Sequence, residues 1–177
     1  MLQRLNFRLS QINAWDLTWS LRFNHASRNR WIRQLFRLVS RLGNGVFWYG
    51  LMLFLLLQMG RNAVPGVIHM ILVGLSCTFI YKLIKATTSR TRPFQKHRNI
   101  LCQAPPLDQY SFPSGHTLHA MAFTIVLLSY FPAFAWIAAP FTLLVALSRV
   151  ILGLHYPTDV VAGALLGALI AAISFTI

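Results

Sequence analysis

Three short polar clusters in an otherwise apolar chain carry the side chains that could do chemistry. Together they supply three cations, two histidines, one carboxylate and a Ser-Gly pair. Lysine and arginine surround phosphate groups in this way, and arginine can bind two phosphate oxygens at once. The set therefore indicates phosphate chemistry. In chain order its members are Lys85, Arg92, Ser114, Gly115, His116, Arg149, His155 and Asp159.

The second cluster lies where a helix is predicted to begin. Ser114 occupies the N-cap position of that helix, and the free N–H groups at a helix N-terminus bind anions. Gly115 would let a phosphate oxygen approach the backbone closely. Snorkelling of interfacial charges is the alternative explanation for Lys85, Arg92 and Arg149. Their spacing relative to the other clusters favours anion binding.

His155 is the candidate nucleophile. Pro157 suits the first turn of the last predicted helix, so His155 lies just before that helix. Asp159 could reach back to one ring nitrogen, hold the tautomer and leave the other nitrogen free to attack phosphorus. His116, on a different predicted helix, could protonate the leaving oxygen. His119 shares a helix face with His116 and could support it.

The other phosphatase chemistries lack their residues here. A two-metal site needs several carboxylates, and of the three acids in the chain only Asp159 is expected near the clusters. A cysteine phosphatase needs a thiolate beside an anion-binding loop, a setting that neither Cys77 nor Cys102 has. The sequence therefore predicts a histidine nucleophile that works without a metal or other cofactor.

Composition predicts where these clusters are held. Hydrophobic residues make up 56% of the 177 residues, and the mean hydropathy is +0.56. Long apolar stretches are typical of membrane proteins. Gly163 and Gly167 form a small-xxx-small pair that favours close packing of helices. The predicted fold is an all-α, polytopic transmembrane helical bundle of about five spans, near residues 44–59, 64–83, 114–130, 134–150 and 157–177.

The N-terminal segment differs from the rest of the chain. The net charge is +13, and eight arginines precede Gly43. Residues 29–42 place apolar side chains on one helix face and arginines on another, which is typical of an interfacial amphipathic helix. We expect a basic interfacial segment over residues 1–42 and a transmembrane core over 43–177. The predicted partners of the basic segment are anionic phospholipid headgroups rather than nucleic acid.

The clusters also carry a family resemblance. Lys-x6-Arg-Pro, Pro-Ser-Gly-His and Ser-Arg-x5-His-x3-Asp resemble the signature blocks of the type 2 phosphatidic acid phosphatase (lipid phosphate phosphatase) superfamily. The resemblance implies a metal-independent helical phosphatase with His155 as nucleophile, Asp159 as its orienting partner and His116 as general acid. Many members have six spans, whereas amphipathic segments here replace the first. The resemblance assigns phosphate binding to Lys85, Arg92, Ser114, Gly115 and Arg149.

Membrane lipids are the substrates that this resemblance implies. Candidates are undecaprenyl pyrophosphate, phosphatidylglycerol phosphate, phosphatidic acid and lipid A phosphate. The alternatives are a lipid phosphotransferase that uses the same phosphohistidine and a non-catalytic polybasic membrane adaptor. Residues in the loop before the second block are expected to contact the headgroup. They are Gln95, Lys96, His97 and Arg98.

Charge and the family resemblance predict opposite membrane sides for the site. If residues 1–42 do not span, the N-terminal arginines lie on the same side as His155, and the positive-inside rule makes that side cytoplasmic. The resemblance instead implies a bacterial inner-membrane protein with its site at the periplasmic face. We expect the periplasmic orientation because lipid carriers are dephosphorylated there by such enzymes.

Overall fold

Helices account for the regular structure of the chain. The computed structural model describes residues 2–176, with side chains from residue 10 onwards, and this part contains no strand. The all-α prediction is therefore confirmed. The helices are α1 (Leu2–Ala26), α2 (Arg30–Arg41), α3 (Phe47–Met59), α4 (Val64–Thr88), α5 (Pro93–Lys96), α6 (Gly115–Tyr130), α7 (Ala135–Ile151) and α8 (Pro157–Ser174).

Three helical stretches in the described part are long and apolar enough to cross a membrane, judged by length and composition. They are Arg30–Lys96, Pro132–Ile151 and Pro157–Ser174. The expected count of about five spans is therefore not confirmed. The first stretch contains several helices, because a π-helical turn at Leu42–Val46 and a 3-10 turn at Gly60–Ala63 join α2, α3 and α4. Helix α6 has 16 residues, fewer than the about 20 that a spanning helix needs.

Helix α6 lies at the centre of the bundle and packs against α4, α7 and most extensively α8. Two glycines of α8 allow this close approach. A Cβ atom at Gly163 would lie 2.5 Å from the Ser114 carbonyl oxygen, and one at Gly167 would overlap the Leu118 carbonyl oxygen. The predicted close packing is confirmed. It sets the N-terminus of α6 directly against α8.

Helix α1 is fastened to the rest of the molecule by buried polar residues. The Asn24 amide nitrogen donates to the carbonyl oxygens of Leu101 and Ile151 at 2.9 and 3.0 Å, and its oxygen accepts from Leu101 N at 2.8 Å. Helix α1 packs against α7 and α8. The first helix therefore contacts both the irregular segment before α6 and the C-terminal end of α7.

Helix α2 is amphipathic, as predicted. Asn29 caps it by accepting a hydrogen bond from Trp31 N at 2.9 Å, while Ser40 is buried on the side that packs against α7. Beyond α2 the chain kinks at Gly45, whose φ of 113° lies in the region that favours glycine. The kink directs Asn44 towards the start of α6. The apolar side chains that α2 leaves exposed include Trp31, Leu35 and Leu38.

Candidate active site

One cavity of about 580 Å³ brings the three polar clusters together. It lies between the C-terminal end of α4, the start of α6, the end of α7 and the loop before α8. Residues that are up to 70 positions apart in the chain therefore share one site, as the motif spacing predicts. The predicted site residues that line it are Lys85, Arg92, Gly115, His116, Arg149 and His155.

The three predicted phosphate-binding cations are all buried. Lys85 is 6% exposed, Arg92 1% and Arg149 2%. Charged groups are costly to bury unless they are paired or bind an ion. Arg92 Nη1 donates a hydrogen bond to the Leu154 carbonyl oxygen at 2.8 Å. This bond orients the guanidinium towards the loop that carries His155. The three cations therefore line one cavity.

His155 presents one ring nitrogen to these cations. Its Nε2 lies 3.3 Å from Arg92 Nη1, and because arginine only donates, Nε2 accepts and carries no proton. The proton of the neutral ring is then on Nδ1, which lies 3.7 Å from Asp159 Oδ2. That separation is an ionic contact rather than a hydrogen bond, and Nδ1 has no hydrogen-bond partner among the described residues. In ligand-free sites such contacts are often longer than in the complex with substrate.

The protonation state of His155 follows from its surroundings. Burial lowers the pKa of its imidazole well below the usual value, and the charges of Arg92, Arg149 and Lys85 lower it further. A neutral imidazole has a free lone pair, which a nucleophile requires. The His155 ring is therefore neutral at neutral pH.

Asp159 is held by a network that the sequence did not predict. Its Oδ2 accepts from Tyr156 N at 2.8 Å, and its Oδ1 accepts from Arg90 at 2.5 Å. Arg90 in turn forms an ion pair of 2.7 Å with Asp16, which also accepts from Thr158 N at 3.0 Å. Both aspartates are fully buried. A chain of contacts thus runs from α1 to the carboxylate beside His155.

His116 lines the same cavity as His155. Its Nε2 is hydrogen-bonded to Asn44 Oδ1, an acceptor, so Nε2 carries a proton. His119 has both ring nitrogens engaged, with the Gly115 carbonyl oxygen at 2.8 Å and Thr78 Oγ1 at 3.0 Å. His119 therefore braces the first turn of α6. Asn44 is a site residue that sequence reasoning missed.

Ser114 occupies the predicted N-cap position of α6, but its side chain does not line the cavity. It is fully buried, and its hydroxyl pairs with Thr117 Oγ1 at 2.9 Å. Its backbone N–H donates to the Asp159 carbonyl oxygen at 3.0 Å. Ser114 therefore joins the start of α6 to α8, while Gly115 lies at the cavity itself.

The expectation that only Asp159 lies near the clusters is wrong. Asp108 forms ion pairs of 2.7 Å with both Lys85 and Arg92, and Asp16 reaches the site through Arg90. Partial burial alone would raise the pKa of Asp108, but hydrogen bonds and charges from Lys85 and Arg92 outweigh burial and hold that pKa below its usual range. The cause is the irregular segment between α5 and α6, which folds back over the cavity.

The four loop residues expected to contact a headgroup do not line this cavity. The Gln95 side chain accepts from Arg92 N at 3.1 Å and closes the short helix α5. Lys96 and His97 line a separate cavity of about 210 Å³ near Tyr156. Arg98 is exposed on the loop. The turn that sets Arg92 in place directs the following residues away from the site.

The fold and the site define an all-helical membrane protein with a cation-lined histidine cavity. Residues 66–177 match the family model described as PAP2 superfamily. The chain belongs to this superfamily, as the motifs predicted.

Relatives within the superfamily carry several names. The chain is 37% identical over 94 residues to an undecaprenyl-diphosphatase of Sulfolobus acidocaldarius, covering 52% of this chain and 46% of the relative. It is 31% identical over 128 residues to the bacitracin transport permease protein BcrC of Bacillus licheniformis, covering 71% and 62%. The chain spans about half the length of the curated relatives that it matches.

Two solved structures share the fold. LpxE of Aquifex aeolicus superposes with a TM-score of 0.75 at 28% identity, covering 88% of this chain and 91% of that one. The transmembrane PAP2 type phosphatidylglycerolphosphate phosphatase of Bacillus subtilis gives a TM-score of 0.73 at 23% identity, covering 94% and 85%.

Proposed function

We propose that this chain hydrolyses a membrane lipid phosphate or diphosphate through a phosphohistidine intermediate on His155. The observation that carries the proposal is the position of His155 Nε2, an unprotonated nitrogen on a buried neutral ring. This nitrogen contacts Arg92, and the ring lines one cavity together with Lys85 and Arg149. The names of the undecaprenyl-diphosphatase relatives support a lipid diphosphate, and a lipid A 1-phosphatase of Rhizobium johnstonii, 36% identical over 92 residues, supports a lipid phosphate.

In the first step, His155 Nε2 attacks phosphorus and the bond from phosphorus to the leaving oxygen breaks. The leaving oxygen takes the Nε2 proton from the imidazolium form of His116, which remains as the neutral imidazole with its other proton on Nδ1. Charge on the phosphoryl oxygens is stabilised by the three cations and by the N–H groups at the start of α6. Asp159 stabilises the positive charge that develops on the His155 ring.

In the second step, water attacks the phosphohistidine and the nitrogen–phosphorus bond breaks. His116, now a neutral imidazole, accepts a proton at Nε2 from the water as it attacks. Inorganic phosphate leaves, and both histidines return to their starting forms.

We place the site at the periplasmic face of a bacterial inner membrane, and the native cysteines offer a test. Cys102 is exposed on the loop beside the site, whereas Cys77 is buried. A membrane-impermeant thiol reagent should label Cys102 in intact cells with a permeabilised outer membrane, and Cys102→Ser should remove the label. Labelling that requires an opened inner membrane would place the site in the cytoplasm, as the charge rule predicts.

A phosphate-release assay tests the proposed activity. The purified full chain in neutral detergent micelles is offered a polyprenyl diphosphate, the matching monophosphate and phosphatidic acid, each with and without EDTA. Phosphate release from at least one lipid that persists in EDTA is the expected result, with His155→Asn as the inactive control. Release from none of them, or release that requires an added divalent ion, would contradict the proposal.

A further inference from the structure

A second cavity of about 440 Å³ lies beside the first. The two cavities share Asn44, Leu107 and Arg149 on their common boundary. The outer wall comes from α2, through Arg37 and Arg41, and from the irregular segment near residue 103. The predicted interfacial helix therefore helps to form a polar space that opens onto the site.

This second cavity carries positive charge without a counter-charge. Arg37, Arg41 and Arg149 line it, whereas the three acids of the chain are paired with Lys85, Arg90 and Arg92. No carboxylate among the described residues neutralises the second cavity. A concave surface lined by one sign of charge concentrates ions of the opposite sign.

Arg149 lines both cavities, and one of its hydrogen-bond donors has no partner among the described residues. One of its terminal nitrogens donates to Ser40 Oγ at 2.5 Å, but its buried Nε has no partner among the described residues. A buried guanidinium with a free donor is costly unless an anion completes it. Arg149 is therefore placed to contact anionic groups on both sides of the boundary.

We propose that the second cavity binds a second phosphate, namely the phosphate that stays on the leaving part of a lipid diphosphate. The inference rests on the proposed function, because it takes the first cavity as the site of the reacting phosphate. His116, the proposed donor to the leaving oxygen, is hydrogen-bonded to Asn44 on the common boundary. The leaving oxygen therefore faces the second cavity, and a phosphate attached to it reaches Arg37 and Arg41.

Binding of non-cleavable anions tests this site without depending on catalysis. Methylenediphosphonate carries two phosphonates, and methylphosphonate carries one. Their dissociation constants would be measured by calorimetry on the wild type, Arg41→Gln and Arg33→Gln in neutral micelles. Arg41 is exposed at the rim, so its substitution leaves the fold intact. Arg33 lies on the same helix but lines neither cavity, so it is a charge-matched control.

The expected result is that Arg41→Gln weakens methylenediphosphonate binding by about tenfold, the cost of one charge-assisted hydrogen bond. Methylphosphonate binding should change by less than about twofold, and Arg33→Gln should change neither. Equal weakening of both ligands, or no weakening, would overturn the second-phosphate site. The same titration is repeated with phosphatidylglycerol in the micelles. It shows whether the second cavity binds the headgroup of a bulk phospholipid or the second phosphate of the substrate. If Arg41→Gln affects only the competition by phosphatidylglycerol, the cavity belongs to bulk lipid and the proposal fails.

These outcomes are independent of turnover. A chain that releases no phosphate from any lipid but binds methylenediphosphonate through Arg41 would refute the proposed hydrolysis and retain the second anion site. A chain that hydrolyses lipids, but whose Arg41→Gln variant binds both phosphonates as the wild type does, would retain the proposed hydrolysis and refute the second anion site.

Discussion

Asp16 in α1 and Arg90 in the loop after α4 form an ion pair of 2.7 Å, and the same guanidinium donates to Asp159 at 2.5 Å. The pair joins the first helix to the carboxylate beside the proposed nucleophile. Arg90 also lies over the ring of Tyr156, 4.3 Å from its centroid. Because both aspartates are fully buried, Arg90 is their charge partner, and its position sets where Asp159 points.

Asp16→Asn should therefore lower kcat by about tenfold with less than about a twofold change in KM, because small displacements of a positioning group slow the chemical step. The asparagine retains an oxygen for Thr158 N but loses the charge that holds Arg90. Steady-state phosphate release checks the split between kcat and KM. Thr18→Ala, an exposed change on the same helix, is the matched control. An unchanged kcat in Asp16→Asn would rule out a positioning role.

Asp108 occupies the cations that the proposed mechanism assigns to phosphate. Its carboxylate contacts both Lys85 and Arg92 at 2.7 Å, so phosphate must compete with it. Asp108→Asn should tighten product inhibition by inorganic phosphate about three- to tenfold, since removing the like charge of this partly exposed carboxylate is worth about 1 kcal/mol. The measurement is the inhibition constant of inorganic phosphate, and Asn99→Ala in the same loop is the control. Weaker phosphate binding would mean that Asp108 instead holds the cations in place.

The depressed pKa of His155 predicts how stability varies with pH. The unfolded chain protonates this histidine below about pH 6.5, whereas the folded chain resists protonation because of burial and the charges of Arg92, Arg149 and Lys85. The unfolded state then binds more protons, so stability falls as the pH drops below about 6.5. Between pH 8 and 5, the Tm of the wild type should fall more steeply than that of His155→Asn. Parallel curves would show that the imidazole is not held neutral.

Glycines of α8 offer a test of the helix packing that positions α6. A Cβ at Gly163 would lie 2.5 Å from the Ser114 carbonyl oxygen, next to the first residue of α6. Gly163→Ala should destabilise the protein by about 1–3 kcal/mol, as overpacking does, and should also reduce activity. Gly50→Ala is the control, because nothing lies within 4 Å of a Cβ there. Thermal unfolding in detergent compares them, and equal Tm values would contradict the close approach.

Sequence reasoning recovered the parts of the site that lie at fixed distances along helices. The sequence placed Lys85 just after one predicted span, His116 at the start of another and His155 just before a third. The structure brings all three to one cavity, with Lys85 inside the last turns of α4. Local signals carried these predictions, since an N-cap position and a proline in the first turn mark helix ends.

The missed residues depend on contacts between distant segments. Asn44 meets His116 across 72 positions, and Asp16 meets Arg90 across 74. Asp108 lies in an irregular segment whose path has no periodic signal. One signal was present: a chain with only three acids and 16 basic residues has a reason to bury each acid beside a cation. The scarcity of acids therefore predicts a buried cation beside each of the three aspartates.

His155 is the proposed nucleophile. The most direct measurement is kcat/KM for phosphate release from the preferred lipid by the wild type, His155→Asn and, as a histidine control outside the site, His25→Asn. Loss of the nucleophile should lower kcat/KM by at least about a thousandfold in a protein that remains folded, while His25→Asn stays near the wild type. A His155→Asn enzyme that retains kcat/KM within about tenfold of the wild type would contradict the account.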